Sequence, residues 1–439
     1  MQTHFEQLVQ AMPYCCPAGL GWSLFLQAEA SDFVRFNHAA IRQAGHLDLA
    51  QVTVRLIDGR RHASRTLAIS GQFNHDKPRL QAACAELQAL LPSLPDDPYL
   101  ALNEQPQTSC RVQHADHLDA QAIARDIVRI AHGHDLVGLL SVGPMMSGCA
   151  NHHGVRHWNE VEGVVFDFSL HRQGNRAVKA MVAGRVWSPQ AFEQALARAH
   201  AQLAVFERPL RTIEPGRHRV FLAPAAVGDL LDLMQWGGFS AKEQATKRSS
   251  LQKLVADQAH FHPQFSLSDD LATGYAPAFD SLGFARAGTL ALIKNGRHAN
   301  AIVSARTAAE YGLTPTGADD ELAVALSLAP GDLPMADAAA ALGDGLYINN
   351  LWYLNYSDRA NARATGMTRF ATLWVENGVA VAACEPMRFD ASYFDLFGEA
   401  LQALTREREL IVDTSNYGFR STNTVLAPGA LIAGMDFTL

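Results

Sequence analysis

Apolar residues near the start of the chain recur with the spacing of a helix. Phe5, Leu8, Val9 and Met12 fall at positions i, i+3, i+4 and i+7, which form one face. Pro13 follows directly, and a proline lacks the backbone N–H that a continuing helix needs. The pattern therefore predicts a short amphipathic helix that ends at Pro13.

The segment that follows alternates between apolar and polar residues. This alternation, at 33–37 and 52–56, predicts two strands of a sheet with one face in water. Asp58-Gly59 predicts a tight hairpin turn, because both residue types tolerate positive φ. A helix is predicted at 78–91, and the proline-containing segment 92–97 is interpreted as a loop or linker.

A second unit combines helical and strand patterns. Its first helix is predicted at 118–131, and strands are predicted at 161–170 and 177–186. Ser188 followed by Pro189 indicates the start of another helix. Serine accepts hydrogen bonds from the free N–H groups of a first turn, and proline fits that turn without strain.

The last part of the chain is predicted to be mainly β. It begins with a strand at 219–222, and Asn295-Gly296 and Asn377-Gly378 each interrupt an aliphatic run. An Asn-Gly pair between two such runs is typical of a tight hairpin. Helices are predicted at 332–343 and 393–406.

Together these patterns predict an α+β protein. N-terminal mixed α/β units with antiparallel sheets are followed by a β-rich C-terminal domain. The boundaries divide the chain into 1–97, 98–215 and 216–439. A length of 439 residues suits two or three domains, so it stays open whether the first two units form one N-terminal domain.

Composition narrows the class of protein. Hydrophobic residues make up 48% of the chain, enough for a large core, and the net charge is −8. A negative chain is poorly suited to binding phosphates, so we expect no direct nucleic-acid partner. We find no run of 18 apolar residues and no secretory signal, and therefore expect no membrane partner and a cytoplasmic location. The six dispersed cysteines are expected to be free thiols.

One short segment gathers residues that can bind metals. Cys149, His152, His153 and His157 fall within nine residues. His153 and His157 are four apart, a spacing that can bind zinc on a helix, but a polar turn explains the segment as well. No glutamate follows the first histidine, so the motif of zinc-peptidase helices is absent. A metal enzyme built on this segment is the hypothesis we rank last.

A series of spaced segments carries more information than any single motif. In order they are 34–37 with 41–43, 219–224, 239–242, 249–253, 279–283, 287–296 with 304–306, 312–317, 345–348, 365–366 with 374–378, and 428–434. Their order and spacing resemble the TldD/PmbA family, whose older label is modulator of DNA gyrase. The resemblance extends from about Val34 to Gly434.

The resemblance implies an assembly of two chains. TldD-like chains are zinc peptidases with an HExxxH helix and a distant cysteine ligand. PmbA-like chains, also called TldE, lack the metal site and complete the substrate chamber. The family is associated with trimming unfolded peptides. The resemblance therefore implies a dimer, with a TldD-like HExxxH chain or with a second copy, and unfolded peptides as substrates.

The positions that match the zinc motif indicate which type this chain is. The HExxxH helix aligns with a segment in which Asp232 replaces the first histidine, Leu233 the glutamate and Gly237 the second histidine. The segment matching the cysteine ligand is 421–425 and contains no cysteine. We therefore interpret Asp232, Leu233 and Gly237 as vestigial positions. We assign no catalytic residue and no metal ligand to this chain, and expect the zinc in a partner chain.

The resulting hypothesis is a metal-free subunit of a TldD/PmbA-type metallopeptidase assembly that acts on extended peptides. The alternative is a stand-alone homodimeric peptide-binding protein that has lost peptidase function. Two departures from the family pattern, at 318–328 and 366–370, favour the alternative slightly. Both segments are expected to border the chamber. The sequence identifies no peptide-binding residue.

Overall fold

The computed structural model describes residues 1–115, 118–172, 176–414 and 418–438. Its strands form a seven-stranded sheet in the N-terminal half and an eleven-stranded sheet in the C-terminal half. The predicted α+β class, with antiparallel N-terminal strands and a β-rich C-terminal domain, is confirmed. Within the described residues, no helix has both the length and the apolar character needed to cross a bilayer.

The N-terminal half combines long strands with four helices. Its elements are α1 (Gln2–Cys15), β1 (Gly21–Asn37), β2 (Ala40–Asp58), β3 (Arg61–Ala68), α2 (Phe73–Leu90), β4 (Thr108–Gln113), α3 (Ala120–Ile130), β5 (Leu136–Asn151), β6 (Arg156–Arg172), β7 (Arg176–Gly184) and α4 (Pro189–Val205). The strand order is β3-β2-β1-β5-β6-β4, and β7 also pairs with β6. The predicted units 1–97 and 98–215 therefore contribute strands to one sheet.

The two faces of this sheet contact different parts of the molecule. Successive side chains along a strand point to opposite faces. On β6, Phe166 and Phe168 pack with α3 and α4, whereas Val161 and Val165 pack with Tyr275 of the C-terminal half. The helices therefore cover one face, and the C-terminal half covers part of the other.

The C-terminal half is built around helix α5 and a large sheet. Its elements are β8 (Gly216–Leu222), α5 (Pro224–Gly238), α6 (Ala241–Ala245), α7 (Gln252–Val255), β9 (Leu267–Asp270), β10 (Thr289–Lys294), β11 (Arg297–His298), α8 (Ala305–Tyr311), β12 (Ala325–Leu328), α9 (Ala338–Leu342), β13 (Gly345–Asp358), β14 (Arg363–Glu376), β15 (Val379–Ala383), β16 (Arg388–Ser392), β17 (Leu401–Val412) and β18 (Thr424–Phe437). Strands β18, β16, β14, β13 and β8 pair in turn, and β8 pairs back with β18.

The two Asn-Gly hairpins are confirmed, whereas the turn predicted at Asp58-Gly59 lies one residue later, at 59–60. Asn295 and Gly296 have φ values of 49° and 76°, and Asn377 and Gly378 have 47° and 77°. Both central residues of each turn therefore lie in the left-handed region that a tight two-residue hairpin requires. These turns join β10 to β11 and β14 to β15.

Two helix predictions were wrong. Helix α1 continues through Pro13 to Cys15, because the proline lies in the last turn and removes only one hydrogen bond. The helix predicted at 393–406 is a single turn at Asp395–Glu399 followed by β17. Gly398, whose φ of −102° and ψ of −109° are not helical, interrupts this turn, and β17 then gains hydrogen bonds along β18.

A buried arginine, Arg420, forms hydrogen bonds that connect the segment just before β18 to the N-terminal sheet. The backbone N–H of Arg420 donates to Glu29 Oε2 at 2.6 Å, and its guanidinium donates to the hydroxyl of Ser31 and the carbonyls of Gly143 and Gly163. Glu29 is 1% exposed and Arg420 is 8% exposed. A buried charge is stable only where hydrogen-bond partners surround it. Because the partners of Arg420 belong to the N-terminal half, this contact joins the two halves.

We expect Arg420→Ala to lower the free energy of unfolding by about 3 kcal/mol, because it leaves buried acceptors without donors and removes the positive charge near Glu29. Urea denaturation of the full chain measures this loss. Arg406→Ala is the control, since Arg406 is exposed and donates to one backbone carbonyl, and should change stability little. Equal effects of the two substitutions would contradict the anchoring role of Arg420.

Candidate functional site

A cavity of about 690 Å³ lies where the two halves meet. Strand β7 and helix α4 line it from the N-terminal half, and α5, α9, β13, β17 and the start of β18 line it from the C-terminal half. Cavities of roughly 300 to 1,000 Å³ are typical of sites for small ligands and peptide segments. This cavity is therefore the candidate functional site.

Helix α5 presents a polar face to the cavity. Asp229, Asp232 and Gln235 are spaced three residues apart and all line the space. The opposite side of the helix is apolar, and Leu230 and Met234 are fully buried in the C-terminal core. The spacing of about 3.6 residues per turn keeps the polar residues on one face of an otherwise apolar helix.

The three vestigial positions are placed differently. Asp232 lines the cavity, whereas Leu233 is 7% exposed and packs in the core. Gly237 lies at the end of α5 with φ of 77°, where the helix is broken, and a Cβ there would approach Arg359 Nη2 within 2.1 Å. These positions do not fit a zinc site, because leucine and glycine side chains offer no ligand atom and Gly237 lies outside regular helix.

The second segment matched to the zinc motif reaches the same cavity. Asn423, Thr424 and Val425 line it beside α5. The structure thus brings together the two segments, 232–237 and 421–425, that correspond to the zinc ligands of TldD-like chains in the sequence comparison. They meet at one place, although neither carries a histidine or a cysteine.

Burial controls the protonation of Asp229. It raises the pKa of the Asp229 carboxyl to about 7, although the backbone N–H of Leu351, which donates at 3.0 Å, and the charge of Lys179 act in the opposite direction. The nearby charge of Asp232 adds to the increase. The Asp229 carboxyl is therefore protonated in only part of the molecules near neutral pH.

Two basic residues line the cavity, and each contacts an acid. Lys179 Nζ lies 3.0 Å from Asp167 Oδ2, and Arg198 Nη2 lies 3.3 Å from Glu409 Oε1. Burial raises the pKa of the Glu409 carboxyl, and Arg198 opposes this. Although 45% of the Glu409 side chain is exposed, the residue lines the cavity, where surrounding protein atoms reduce its contact with bulk water.

The histidine-rich segment contributes to a contact between the two halves. The Nδ1 atom of His157 lies 2.8 Å from the hydroxyl of Ser109, and its ring stacks on Phe279. Burial lowers the pKa of the His157 ring and raises that of the Cys149 thiol. Among the described residues, no three His, Cys, Asp or Glu side chains are arranged to hold a metal ion.

The two segments that depart from the family pattern do not line the cavity, contrary to expectation. In the first, 318–328, Glu321 is 4% exposed and accepts hydrogen bonds from the hydroxyls of Ser240 and Ser304, so it joins the starts of α6 and α8. Strand β12 is buried between β9 and β18. The residues at 318–328, which depart from the family pattern, therefore contribute to packing within the C-terminal half.

The cavity contains residues that the sequence did not identify as functional. Asp229, Lys179, Arg198 and Glu409 belong to no motif, and four different elements, β7, α4, α5 and β17, bring them together. A signal existed only for α5, where polar residues recur at every third position of an apolar stretch. The same pattern is typical of a helix whose polar face lines a cavity and of a helix whose polar face is in bulk water, so it does not distinguish them.

Comparisons with known proteins agree with this architecture. The structure resembles TldE from Thermococcus kodakarensis with a TM-score of 0.81 and 13% identity, covering 99% of this chain and all of the other. A candidate modulator of DNA gyrase from Thermotoga maritima gives 0.76 at 14% identity over all of both chains. One from Bacteroides thetaiotaomicron gives 0.73 at 13%, covering all of this chain and 98% of the other.

The fold is that of TldE and of the two modulator structures. The family described as PmbA/TldA metallopeptidase C-terminal domain matches residues 215–439. The chain belongs to the PmbA/TldD family. Comparison with curated protein sequences gave no match.

We expect Asp229→Asn to flatten the pH dependence of stability. The folded protein holds the Asp229 proton up to about pH 7, whereas an unfolded chain releases it near pH 4, so the wild type loses stability as pH rises between these values. Asparagine keeps an acceptor for the Leu351 N–H but carries no titrating proton. Relative to wild type, the variant should gain on the order of 2 kcal/mol between pH 5 and pH 8.

Urea denaturation at several pH values measures this difference. Asp48→Asn is the control, because Asp48 is exposed on β2 and the substitution changes the net charge equally. A constant difference between wild type and Asp229→Asn across this pH range would show that the carboxyl titrates normally.

Proposed function

We propose that this chain is a metal-free subunit of a cytoplasmic PmbA/TldD-type metallopeptidase assembly. It binds unfolded or extended peptides and presents them to a partner chain, which holds the zinc and the general base. The partner is a TldD-like chain with the HExxxH helix, and the chains pair as a dimer. The observation that carries the proposal is the cavity itself, where both segments matched to the zinc motif meet without a histidine or a cysteine.

The edges of two strands suit the binding of an extended peptide. Strand β7 pairs only with β6, and β17 pairs with β18, among the strands of the described residues. Residues 178–181 of β7 and 409–412 of β17 line the cavity. An unpaired strand edge offers backbone donors and acceptors to an added strand, with little dependence on the sequence of the peptide.

The walls of the cavity suit peptide side chains. Leu410, Ile411, Val412 and Met181 provide apolar surface close to the two edges. Apolar walls exclude water, which strengthens backbone hydrogen bonds to a bound peptide. The contribution of this chain to catalysis is therefore to hold the peptide in position, and correct positioning alone accounts for a large part of many enzymatic rate enhancements.

No structural observation favours the alternative of a stand-alone peptide-binding protein. Its support came from the departures at 318–328 and 366–370, and neither segment lines the cavity. A second copy of this chain remains the alternative partner, and the experiments below distinguish it from a zinc-bearing relative.

The isolated chain is expected to contain no stoichiometric zinc, since Leu233 and Gly237 cannot bind it. Elemental analysis after mild dialysis measures the metal content of the purified protein. One zinc per chain that disappears in His157→Ala would contradict the proposal and favour a metal site in the segment 149–157.

We expect peptide cleavage only when this chain is mixed with an HExxxH-bearing relative from the same organism. Each chain alone should cleave an unfolded peptide slowly or not at all, and the mixture should be at least about ten times faster, because the peptide is then held in position. A fluorogenic unfolded peptide provides the assay.

A matched pair of variants tests the role of the cavity. Ala225→Trp places a large ring in the cavity wall and should abolish the stimulation, whereas Ala85→Trp, on the exposed face of α2, should leave it intact. Stimulation that survives Ala225→Trp would contradict the role of the cavity. Cleavage by this chain alone would contradict the assignment of the chemistry to a partner.

A further inference from the structure

One end of the cavity carries negative charge without a nearby cation. Asp229 and Asp232 form no ion pair with any residue in the described part of the chain. Of the two basic residues that line the cavity, Lys179 contacts Asp167 and Arg198 contacts Glu409. Lys179 acts on Asp229 only from a greater distance. The polar face of α5 therefore carries two carboxyl groups without an ion-pair partner, and Asp229 is ionised only in part near neutral pH.

The oxygen of a buried side-chain amide beside these carboxyl groups also lacks a partner. Gln235 is 8% exposed, lines the cavity and donates from Nε2 to Asp232 Oδ1 at 2.9 Å. Its Oε1 atom has no hydrogen-bond donor among the described residues. A buried acceptor without a donor costs on the order of 1 to 3 kcal/mol, a cost that a donor on a bound molecule would offset.

We propose that the cavity binds its peptide through a primary ammonium group held by Asp229, Asp232 and Gln235. The inference rests on the proposed peptide-binding function and gives the chemistry of the substrate at this end. An ammonium carries three donors and no acceptor, which matches three acceptor groups on one helix face. The group is either the free α-amine of the peptide or the side chain of a lysine.

The same acceptors fit a divalent metal ion poorly. Calcium takes six to eight oxygen ligands and magnesium an octahedron of six. The described residues contain no group of three or more His, Cys, Asp or Glu side chains that could hold a metal. Two carboxylates and one amide therefore select a cation that brings its own hydrogen-bond donors.

The rest of the cavity determines how the peptide continues from this end. The outer edges of β7 and β17 and the apolar residues 410–412 lie in the same cavity as the acidic face of α5. On these strands, the carbonyl of Lys179 already accepts from Asn349 and the N–H of Val412 from β17 contacts the sulfur of Met181. A peptide held by its ammonium at α5 extends along these edges with its backbone hydrogen-bonded to a strand. The cavity thus combines one charged anchor with a sequence-tolerant groove.

Isothermal titration calorimetry of the full chain with three tetrapeptide amides tests the inference. The peptides are tetra-alanine with a free N-terminus, the same peptide acetylated, and an acetylated peptide with lysine at its first position. We expect the free amine to bind at least about ten times more tightly than the acetylated form, which corresponds to about 1.4 kcal/mol. Asp232→Asn should remove most of this preference.

Asp48→Asn, with the same change in charge on the exposed strand β2, should retain the preference. If only the lysine peptide binds tightly, the side chain is the source of the ammonium, and if only the unacetylated alanine peptide does, the α-amine is. Equal binding of all three peptides, or displacement of the tightly bound peptide by millimolar magnesium, would overturn the inference while the peptide-binding function stands. Absence of binding by all three peptides would overturn both.

Discussion

The contact between Arg420 and the N-terminal sheet is the constraint on which the functional cavity depends. A guanidinium that is removed from water must have acceptors, and Ser31, Gly143 and Gly163 supply them. Arg420 lies directly before the segment 423–425, which lines the cavity. Because the acceptors belong to the N-terminal half, the position of one cavity wall is set by the packing of the two halves.

Much of the architecture follows from local patterns, since those patterns have local causes. Both Asn-Gly hairpins were predicted because left-handed φ values restrict the residues at a tight turn. The start of α4 was predicted for a similar reason, and the hydroxyl of Ser188 does accept a hydrogen bond from the N–H of Ala191. The strand β17 was missed because its pairing with β18 overrides the preference of the segment 393–406.

The candidate site was only partly predictable. The sequence placed Asp232, Leu233 and Gly237 on one helix but gave no reason to separate them, whereas the structure exposes Asp232 to the cavity and buries Leu233. Residues such as Glu409 come from strands whose register depends on the whole sheet. A single sequence shows no signal for such contacts between residues far apart in the chain, because these contacts depend on tertiary packing and not on sequence spacing.

The left-handed turn at Gly237 has a consequence for any attempt to engineer a metal centre on this scaffold. Writing His-Glu-His into positions 232, 233 and 237 would place the glutamate in the core and the last histidine at a backbone conformation that strains every residue with a Cβ. The guanidinium of Arg359 would also have to vacate the space. Three substitutions would therefore reproduce the sequence of the motif but not the backbone geometry that a metal site needs. The end of α5 would have to be redesigned first.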